Sequence, residues 1–187
     1  MATRFSELGD DELALLCRRG QEAAFRELYQ RYRQRIMNFA FRMLRDRELA
    51  ADVLQETFQY FFRKIPEYRA EGKLSVLLYR AARSNCLNRL KKTRRAKELP
   101  LEESALAPEV GEEVGAPLEA REVREHVAAA IEKLAPMYSE VIILRILRGL
   151  PVAQVAQIAG CPEGTVKSRL HNGLELMRKI LKSRDFD

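Results

Sequence analysis

The sequence has no tryptophan and only three cysteines and two histidines among its 187 residues. Cys17, Cys86 and Cys161 lie far apart and form no Cys-x-x-Cys pair, which argues against a zinc site or a disulfide framework. No apolar run approaches the ~20 residues that a membrane-spanning helix needs. The first residues also lack the charged-then-apolar pattern of a secretory signal. We therefore expect a cytoplasmic protein with no membrane insertion and no metal ion or other cofactor; a redox switch at one cysteine is the alternative that the sequence leaves open.

Basic side chains exceed acidic ones by six overall, and the excess is unevenly distributed. Residues 1–95 carry 21 basic against 12 acidic side chains, and residues 121–187 carry 11 against 8. Between them, residues 96–120 carry 1 against 7 and are rich in proline, glycine and alanine, without sustained periodicity. Two basic blocks around an acidic segment indicate two polyanion-binding domains on a flexible linker. We place the domains at residues 1–95 and 118–187 and the linker at residues 96–117.

Apolar residues recur at helical spacing in both domains. The predicted helices of the first domain span about residues 10–20, 21–44, 47–65 and 73–92. The second domain is expected to hold four helices between about residues 118 and 182. The predicted fold class is therefore all-α, with two small helical domains joined by a flexible linker and a helix-turn-helix in the C-terminal one.

The segment from Pro151 to Leu181, PVAQVAQIAGCPEGTVKSRLHNGLELMRKIL, is typical of two helices joined by a tight turn. Gly160 and Pro162 fit the end of the first helix and the start of the second. The expected packing side of the second helix consists of Val166, Leu170, Leu174, Met177 and Leu181. Its other side and flanks carry Lys167, Ser168, Arg169, His171 and Asn172. Short donors and long cations suit a DNA major groove, and an ordinary helical hairpin with a solvated face is the alternative.

The predicted third helix is apolar over most of its surface but carries one narrow polar stripe. Its members are Asp52, Gln55, Glu56, Gln59 and Arg63, spaced 3, 1, 3 and 4 residues apart. We interpret the stripe as a docking surface. The alternative is an enzyme in which Asp52 and Glu56 act as paired carboxylates for acid–base work or for a metal ion. Helical bundles of that kind add inward-facing histidines at helical spacing, and none lies nearby, so we expect no enzymatic activity.

A basic block follows this helix. The loop from Pro66 to Lys73 leads into a helix whose expected packing side consists of Leu74, Leu77, Leu78, Ala81 and Ala82. The other side of that helix carries Arg80, Arg83, Ser84 and Lys91. Cations beside aromatic rings suit single-stranded DNA, because bases stack on the rings while the cations follow the phosphates. We interpret the neighbouring Phe58, Phe61 and Phe62 as core residues, with base stacking as the alternative.

Three segments carry a family resemblance: ADVLQETFQYFFRKIPEYR, LLYRAARSNCLNRLKK and IEKLAPMYSEVIILRILRGLPVAQVAQIAGCPEGTVKSRL. Together they resemble the extracytoplasmic-function sigma factors of bacteria, which have only a sigma-2 and a sigma-4 domain. The resemblance covers about residues 10–95 and 118–182, in the family's order. Gly-Thr-Val-Lys-Ser-Arg-Leu also occurs in other helix-turn-helix regulators, but its pairing with Asp-x-x-Gln-Glu-x-Phe upstream is highly specific.

The resemblance implies a dissociable subunit that gives bacterial RNA polymerase its promoter specificity. The implied partners are core polymerase (its β′ and β subunits), promoter DNA and an anti-sigma factor. Contacts to the β′ subunit are implied for Asp52, Gln55, Glu56 and Gln59. Contacts to the −10 promoter element are implied for Tyr68, Lys73, Arg80, Arg83, Ser84, Asn85 and Asn88. Contacts to the −35 element are implied for Thr165, Lys167, Ser168, Arg169 and His171.

The main alternative is a stand-alone helix-turn-helix regulator whose first domain serves dimerisation or ligand binding. Such a regulator needs neither the polar stripe nor the basic block with its aromatic neighbours. Both features therefore favour the sigma-factor interpretation.

Overall fold

A computed structural model describes residues 5–71, 73–97 and 118–183, with side chains over 5–71, 73–93, 123 and 125–183. All regular secondary structure in these ranges is helical, which confirms the predicted all-α fold. The chain divides into two compact units, Met1–Arg94 and Arg95–Asp187. Residues 98–117, most of the predicted linker, lie outside the described residues, so the linker stays a prediction.

The helices coincide with those predicted from the sequence. The first four are α1 (Asp10–Arg18), α2 (Glu22–Leu44), α3 (Arg47–Lys64) and α4 (Leu74–Lys97). The last four are α5 (Leu118–Glu132), α6 (Pro136–Ile142), α7 (Val152–Ala159) and α8 (Glu163–Lys182). Helix α4 continues past its predicted end near residue 92. The other boundaries fall within a few residues of the predicted ones, because they are set by local caps and turns.

The turn between α2 and α3 shows how such caps work. Arg45 takes a left-handed conformation, with φ of 58°, and its N–H donates to the Phe41 carbonyl at 2.7 Å. Asp46 then caps α3, because its side chain accepts a hydrogen bond from the Leu49 N–H at 2.9 Å. Together these bonds end one helix and begin the next within two residues, so α2 and α3 can pack against each other.

The core of the first unit is built from α2, α3 and α4. Its buried members on α2 and α3 include Leu28, Tyr32, Ile36, Phe39, Val53, Phe58 and Phe61. Those on α4 are Leu74, Val76, Leu78, Tyr79, Ala82 and Cys86. Leu77 and Ala81 are only partly buried, so the packing side predicted for α4 was wrong at these two positions. Tyr79 takes their place, because its ring meets Phe39 edge-on at a centroid distance of 5.5 Å.

Phe62 is the second correction in this unit. Phe58 and Phe61 are core residues as predicted, but Phe62 is 51% exposed. Its ring lies beside Phe25 of α2, with the centroids 4.2 Å apart. Position 62 lies one residue beyond the buried Phe61, about 100° further around the helix, and so it leaves the core side.

Arg31 of α2 attaches the N-terminal segment to the first unit. Its guanidinium donates to the backbone carbonyls of Phe5, Ser6 and Leu8 at 2.8–3.1 Å. It also donates to the side chains of Asp10 and Glu27, at 3.0 and 2.8 Å. The neighbouring Tyr32 hydroxyl donates to the other oxygen of Asp10 at 2.5 Å. Asp10 therefore starts α1 and links it to α2.

In the second unit, α6 is extended by one wider helical turn, Ile143–Leu147. The Arg148 N–H donates to the Ile143 carbonyl at 3.0 Å, a spacing of five residues. The last four residues of α6 and the first two of this turn, Ser139 to Leu144, are all buried, so this segment packs on more than one side. The first four residues of the apolar run VIILRIL therefore lie in the core, whereas Ile146 and Leu147 at its end are exposed.

Helices α7 and α8 form the predicted helix-turn-helix. Gly160 ends α7 in the left-handed conformation, with φ of 63°, and α8 begins directly after Pro162. Leu174, however, is 42% exposed, and Gly173 is buried in its place. A Cβ on Gly173 would lie 2.9 Å from Ile142 Cδ1 and 3.2 Å from Tyr138 Cβ. Because α6 and α8 approach so closely, the packing side of α8 passes through a residue that no hydrophobic pattern reveals.

We predict that Gly173→Leu lowers the free energy of unfolding of the second unit by about 2 kcal/mol, because overpacking forces α8 away from α6. The matched control is Gly164→Leu in the same helix, where a Cβ would meet no atom within 4 Å. Chemical denaturation of the two variants measures the difference. Equal stability of both variants would contradict the close packing of α6 and α8.

Candidate functional sites

The polar stripe of α3 lies on the side opposite its core residues. Asp52, Gln55 and Gln59 are exposed and Glu56 is partly exposed, while Thr57 is buried and donates to the Val53 carbonyl at 2.7 Å. These four members of the stripe share one accessible face with the fifth, the exposed Arg63, as their spacing requires. A face of two carboxylates and two amides can bind a partner that offers cations and N–H donors.

Arg89 of α4 belongs to this surface, although the sequence analysis did not single it out. Its two terminal nitrogens donate to the two carboxylate oxygens of Glu56, at 2.9 and 2.8 Å. The second nitrogen also lies 3.8 Å from Asp52 Oδ2. The hydrogen bonds from Arg89 lower the pKa of Glu56, and the nearby charge of Lys92 adds to the effect. Glu56 is thus held ionised and paired with a cation, an arrangement suited to docking rather than to the proton transfer of an acid–base pair.

Tyr68, assigned to the −10 surface from the resemblance, is a buried anchor in this structure. It is 8% exposed, and its hydroxyl donates to Asp11 Oδ1 at 2.6 Å. Its carbonyl accepts a hydrogen bond from Arg18 at 3.2 Å. Burial and the bond to Asp11 raise the pKa of Tyr68 well above its ordinary value. In this placement the ring is not available to stack on a base, and Tyr68 attaches the segment after α3 to α1.

The outer face of α4 carries the other residues assigned to the −10 element. Arg80, Ser84 and Asn88, four residues apart, are exposed and form one line along the helix. Arg83 and Asn85 flank this line and are partly buried. Lys73, just before the helix, is exposed and pairs with Glu71 at 2.6 Å. A line of donors with a cation at its start suits a single nucleic-acid strand.

The outer face of α8 presents Lys167, Ser168 and His171, and Thr165 is partly buried beside them. The Ser168 hydroxyl donates to the Thr165 carbonyl at 3.0 Å, within the first turns of the helix. The N-terminal turns of a recognition helix are the part that reaches base edges in the major groove. These side chains have the placement that such contacts need.

Arg169 departs from this group. One of its terminal nitrogens lies 3.5 Å from Oε1 of Glu140, a fully buried residue of α6, and 3.8 Å from the Cys161 sulfur. Arg169 follows the buried Val166 by three residues, and this spacing places both on the inner side of the helix. In the structure Arg169 therefore joins α8 to α6, and its assignment to DNA contact stays a prediction.

Two of the three cysteines have environments that suppress thiol chemistry. Cys86 is completely buried in the core of the first unit. Burial raises the pKa of Cys17 to about 11, so that its thiol stays protonated at neutral pH. Cys161 is partly buried in the turn before α8, close to Arg169. The structure thus favours the interpretation of Cys17 and Cys86 as inert thiols.

Family comparison assigns both units. Residues 28–96, from within α2 to the end of α4, match sigma-70 region 2, and residues 124–177, from α5 into α8, match sigma-70 region 4. The chain belongs to the extracytoplasmic-function sigma factors of the sigma-70 family. Sigma factors of this family act in transcription initiation and are not enzymes, which rules out the carboxylate-enzyme alternative at Asp52 and Glu56.

Curated relatives resemble this sigma factor over almost its whole length. The ECF RNA polymerase sigma factor SigW of Bacillus subtilis is 28% identical over 173 residues, covering 88% of this chain and 92% of the relative. The ECF RNA polymerase sigma-E factor of Escherichia coli is 29% identical over 179 residues, with coverages of 90% and 92%. The similarity therefore includes both units and their order.

Solved structures share the fold. CnrH, in complex with the cytosolic domain of CnrY, has a TM-score of 0.65 at 20% identity and covers 93% of this chain and 97% of its own. RpoE of Bartonella quintana, crystallised with the anti-sigma factor NepR, has a TM-score of 0.68 at 20% identity, with coverages of 84% and 96%. Within the described residues of this sigma factor, no helix combines the length and apolar character needed to cross a bilayer.

We predict that Tyr68→Phe lowers the stability of the first unit by about 1 kcal/mol, because the hydrogen bond to Asp11 is lost. The affinity of the polymerase complex for a single-stranded −10 oligonucleotide should stay within about twofold, because the ring keeps its buried place. Thermal unfolding and fluorescence titration measure the two effects. A large loss of oligonucleotide affinity without loss of stability would contradict the anchoring role.

We predict opposite effects for two neighbouring cations of α8. Arg169→Ala should lower the stability of the second unit by about 2 kcal/mol, since it removes a partner of the buried Glu140. Lys167→Ala should leave stability unchanged, weaken binding to duplex DNA of any sequence and reduce its logarithmic salt dependence by about one. Denaturation and salt-dependent binding assays separate the two; a stability loss in Lys167→Ala but not in Arg169→Ala would reverse our assignment.

Proposed function

We propose that this sigma factor directs core RNA polymerase to its promoters through three surfaces of two separate units. The stripe on α3 binds the β′ subunit, the outer face of α4 binds the −10 element, and α8 binds the −35 element. The observation that carries the proposal is that the stripe is accessible on α3 while the core side of the same helix is buried. A helix that is packed on one side and polar on the other presents a binding partner with a polar surface that is already folded.

The first unit combines docking with capture of a DNA strand. The carboxylates and amides of α3 are complementary to a basic helical surface on polymerase. Arg80, Ser84 and Asn88 form a line along α4 that would follow the strand of an opened −10 element. Base stacking needs an accessible ring, and with Tyr68 buried Phe62 is one such ring in the first unit, since it is 51% exposed.

The second unit supplies recognition of duplex DNA. Lys167, Ser168 and His171 of α8 would enter the major groove of the −35 element, where lysine bonds to guanine or phosphate and serine to either. Each surface is small, so neither unit should bind promoter DNA tightly by itself. Two weak sites on one chain gain from effective concentration once polymerase fixes their separation.

We propose that an anti-sigma factor holds this protein inactive in the cytoplasm. RpoE of Bartonella quintana, which shares the fold, was crystallised with the anti-sigma factor NepR, and CnrH was solved in complex with the cytosolic domain of CnrY. The second unit carries several exposed apolar side chains, which a partner could cover: Met137, Ile146, Leu147, Leu174 and Leu176. An anti-sigma factor that covered these side chains together with the stripe on α3 would block polymerase docking by the first unit and DNA binding by the second.

In vitro transcription with core polymerase on a pool of genomic promoter fragments tests the proposal. We expect specific run-off products that appear only when the protein is added. Asp52→Asn should reduce them several-fold by weakening the complex with core polymerase, and it should leave the stability of the protein within about 0.5 kcal/mol, since Asp52 is an exposed residue.

One control variant and two contrary outcomes complete this test. Arg26→Gln, which breaks the exposed ion pair of Arg26 with Glu22 on α2, should leave transcription unchanged. Tight binding of the isolated protein to duplex promoters without any run-off product would favour a stand-alone regulator instead. If Asp52→Asn supports transcription as well as the wild type does, Asp52 is not part of the docking surface.

A further inference from the structure

Arg89 joins the helix proposed to bind polymerase to the helix proposed to bind the −10 element. We propose that Arg89 is a positioning residue for polymerase docking: it fixes the Glu56 carboxylate of α3 in the orientation that a cationic group of polymerase requires, and it attaches that carboxylate to α4. This inference rests on the proposed docking role of the stripe. It adds to the stripe a residue that does not itself touch the partner.

The geometry of the pair supports an orienting role. The planar guanidinium bonds both oxygens of Glu56, and two parallel hydrogen bonds fix the plane and the direction of the carboxylate. The arginine side chain is 17% exposed, whereas that of Glu56 is 45% exposed. Arg89 is therefore the more buried member of the pair, and Glu56 is the member that is more open to solvent.

Glu56 keeps acceptor capacity for a partner. A carboxylate offers about four lone-pair positions, and Arg89 occupies one on each oxygen. The remaining positions can accept hydrogen bonds from an arriving lysine or arginine. Since the carboxylate is already held in one orientation, docking does not have to order it, and less of the binding free energy is lost.

Arg89 also separates two like charges. Asp52 and Glu56 are four residues apart on α3, a spacing at which two carboxylates repel each other. The second terminal nitrogen of Arg89 lies 2.8 Å from Glu56 and 3.8 Å from Asp52. Without this cation, the repulsion would favour side-chain orientations in which the two carboxylates point apart, so fewer molecules would present both to one partner surface.

The attachment to α4 has a consequence for promoter binding. Arg89 follows Asn88 directly, about 100° around the same helix. A polymerase group that docks on Glu56 is thereby connected, through one bidentate pair, to the turn of α4 that carries the last residue of the exposed line. The Arg89–Glu56 pair thus links the docking surface on α3 to the part of α4 proposed to bind the −10 element.

The test is a double-mutant cycle on the affinity of the full-length protein for core RNA polymerase, measured by fluorescence anisotropy of labelled protein. We expect Arg89→Gln and Glu56→Gln each to weaken binding about fivefold, the upper range for a partly exposed ion pair. The double variant should bind no worse than either single variant, because Arg89 acts through Glu56. The affinity of Arg89→Lys for core polymerase should fall between those of Arg89→Gln and the wild type. Lysine keeps the positive charge but cannot donate two parallel hydrogen bonds to one carboxylate.

Arg26→Gln is the matched control, because it removes the same group from an exposed ion pair elsewhere in the first unit, and it should bind as the wild type does. Circular dichroism at the assay temperature verifies that each variant is folded. A residue that merely stabilised the fold would change the unfolding temperature but not the affinity of the folded protein.

The remaining outcomes would overturn the inference in distinguishable ways. If Glu56→Gln binds polymerase like the wild type, the docking role of Glu56 is wrong, and the positioning role falls with it. If Glu56→Gln weakens binding but Arg89→Gln does not, or if the two effects add, the stripe stands and the positioning role is wrong. Tighter binding by Arg89→Gln would show that Arg89 masks the carboxylates instead of orienting them.

Discussion

The aromatic contacts between α2, α3 and α4 decide which side chains of the first unit face outward. Tyr79 of α4 meets Phe39 of α2 edge-on, and Phe58 of α3 lies 4.9 Å from the ring of Tyr29 on α2. Such pairs stabilise by about 0.5–1.5 kcal/mol beyond the burial of their area, and they also fix the rotation of each helix about its axis. Because the core sides of α3 and α4 then face each other and α2, the polar stripe on α3 and the line of donors on α4 face solvent.

The second unit fixes the position of α8 by a different pair of contacts. Gly173 lets α8 approach α6 so closely that an added side chain would press on Ile142 and Tyr138, and Arg169 reaches the buried Glu140 on the same neighbour. A buried ion pair is weak evidence for stability, because desolvation offsets much of the attraction. The position of Glu140, however, favours the rotation of α8 in which Arg169 faces α6, and in that rotation Lys167, Ser168 and His171 face outward.

Three arginines show that the basic residues of a sequence do not all contribute to a polyanion-binding surface. Arg31, Arg89 and Arg169 each lie within 3.5 Å of a carboxylate oxygen and serve as internal counter-ions. Each joins one helix to another element of its own unit. The net positive charge of the two domains remains a sound indication of nucleic-acid binding, but the cations available for it are the exposed ones, such as Arg80 and Lys167.

The sequence by itself determined the helices, the helix-turn-helix and the family, because periodicity, caps and turn residues act over a few neighbouring positions. It also placed Asp52 and Glu56 on one face, since helical spacing alone decides that. Only the tertiary structure decided that Glu56 is held by Arg89, 33 residues further along the chain, that Tyr68 is buried against Asp11, 57 residues away, and that Arg169 faces inward. A local pattern indicates which side of a helix is apolar. The partner of a polar group depends instead on which helices meet, and the packing of segments distant in sequence decides which helices meet.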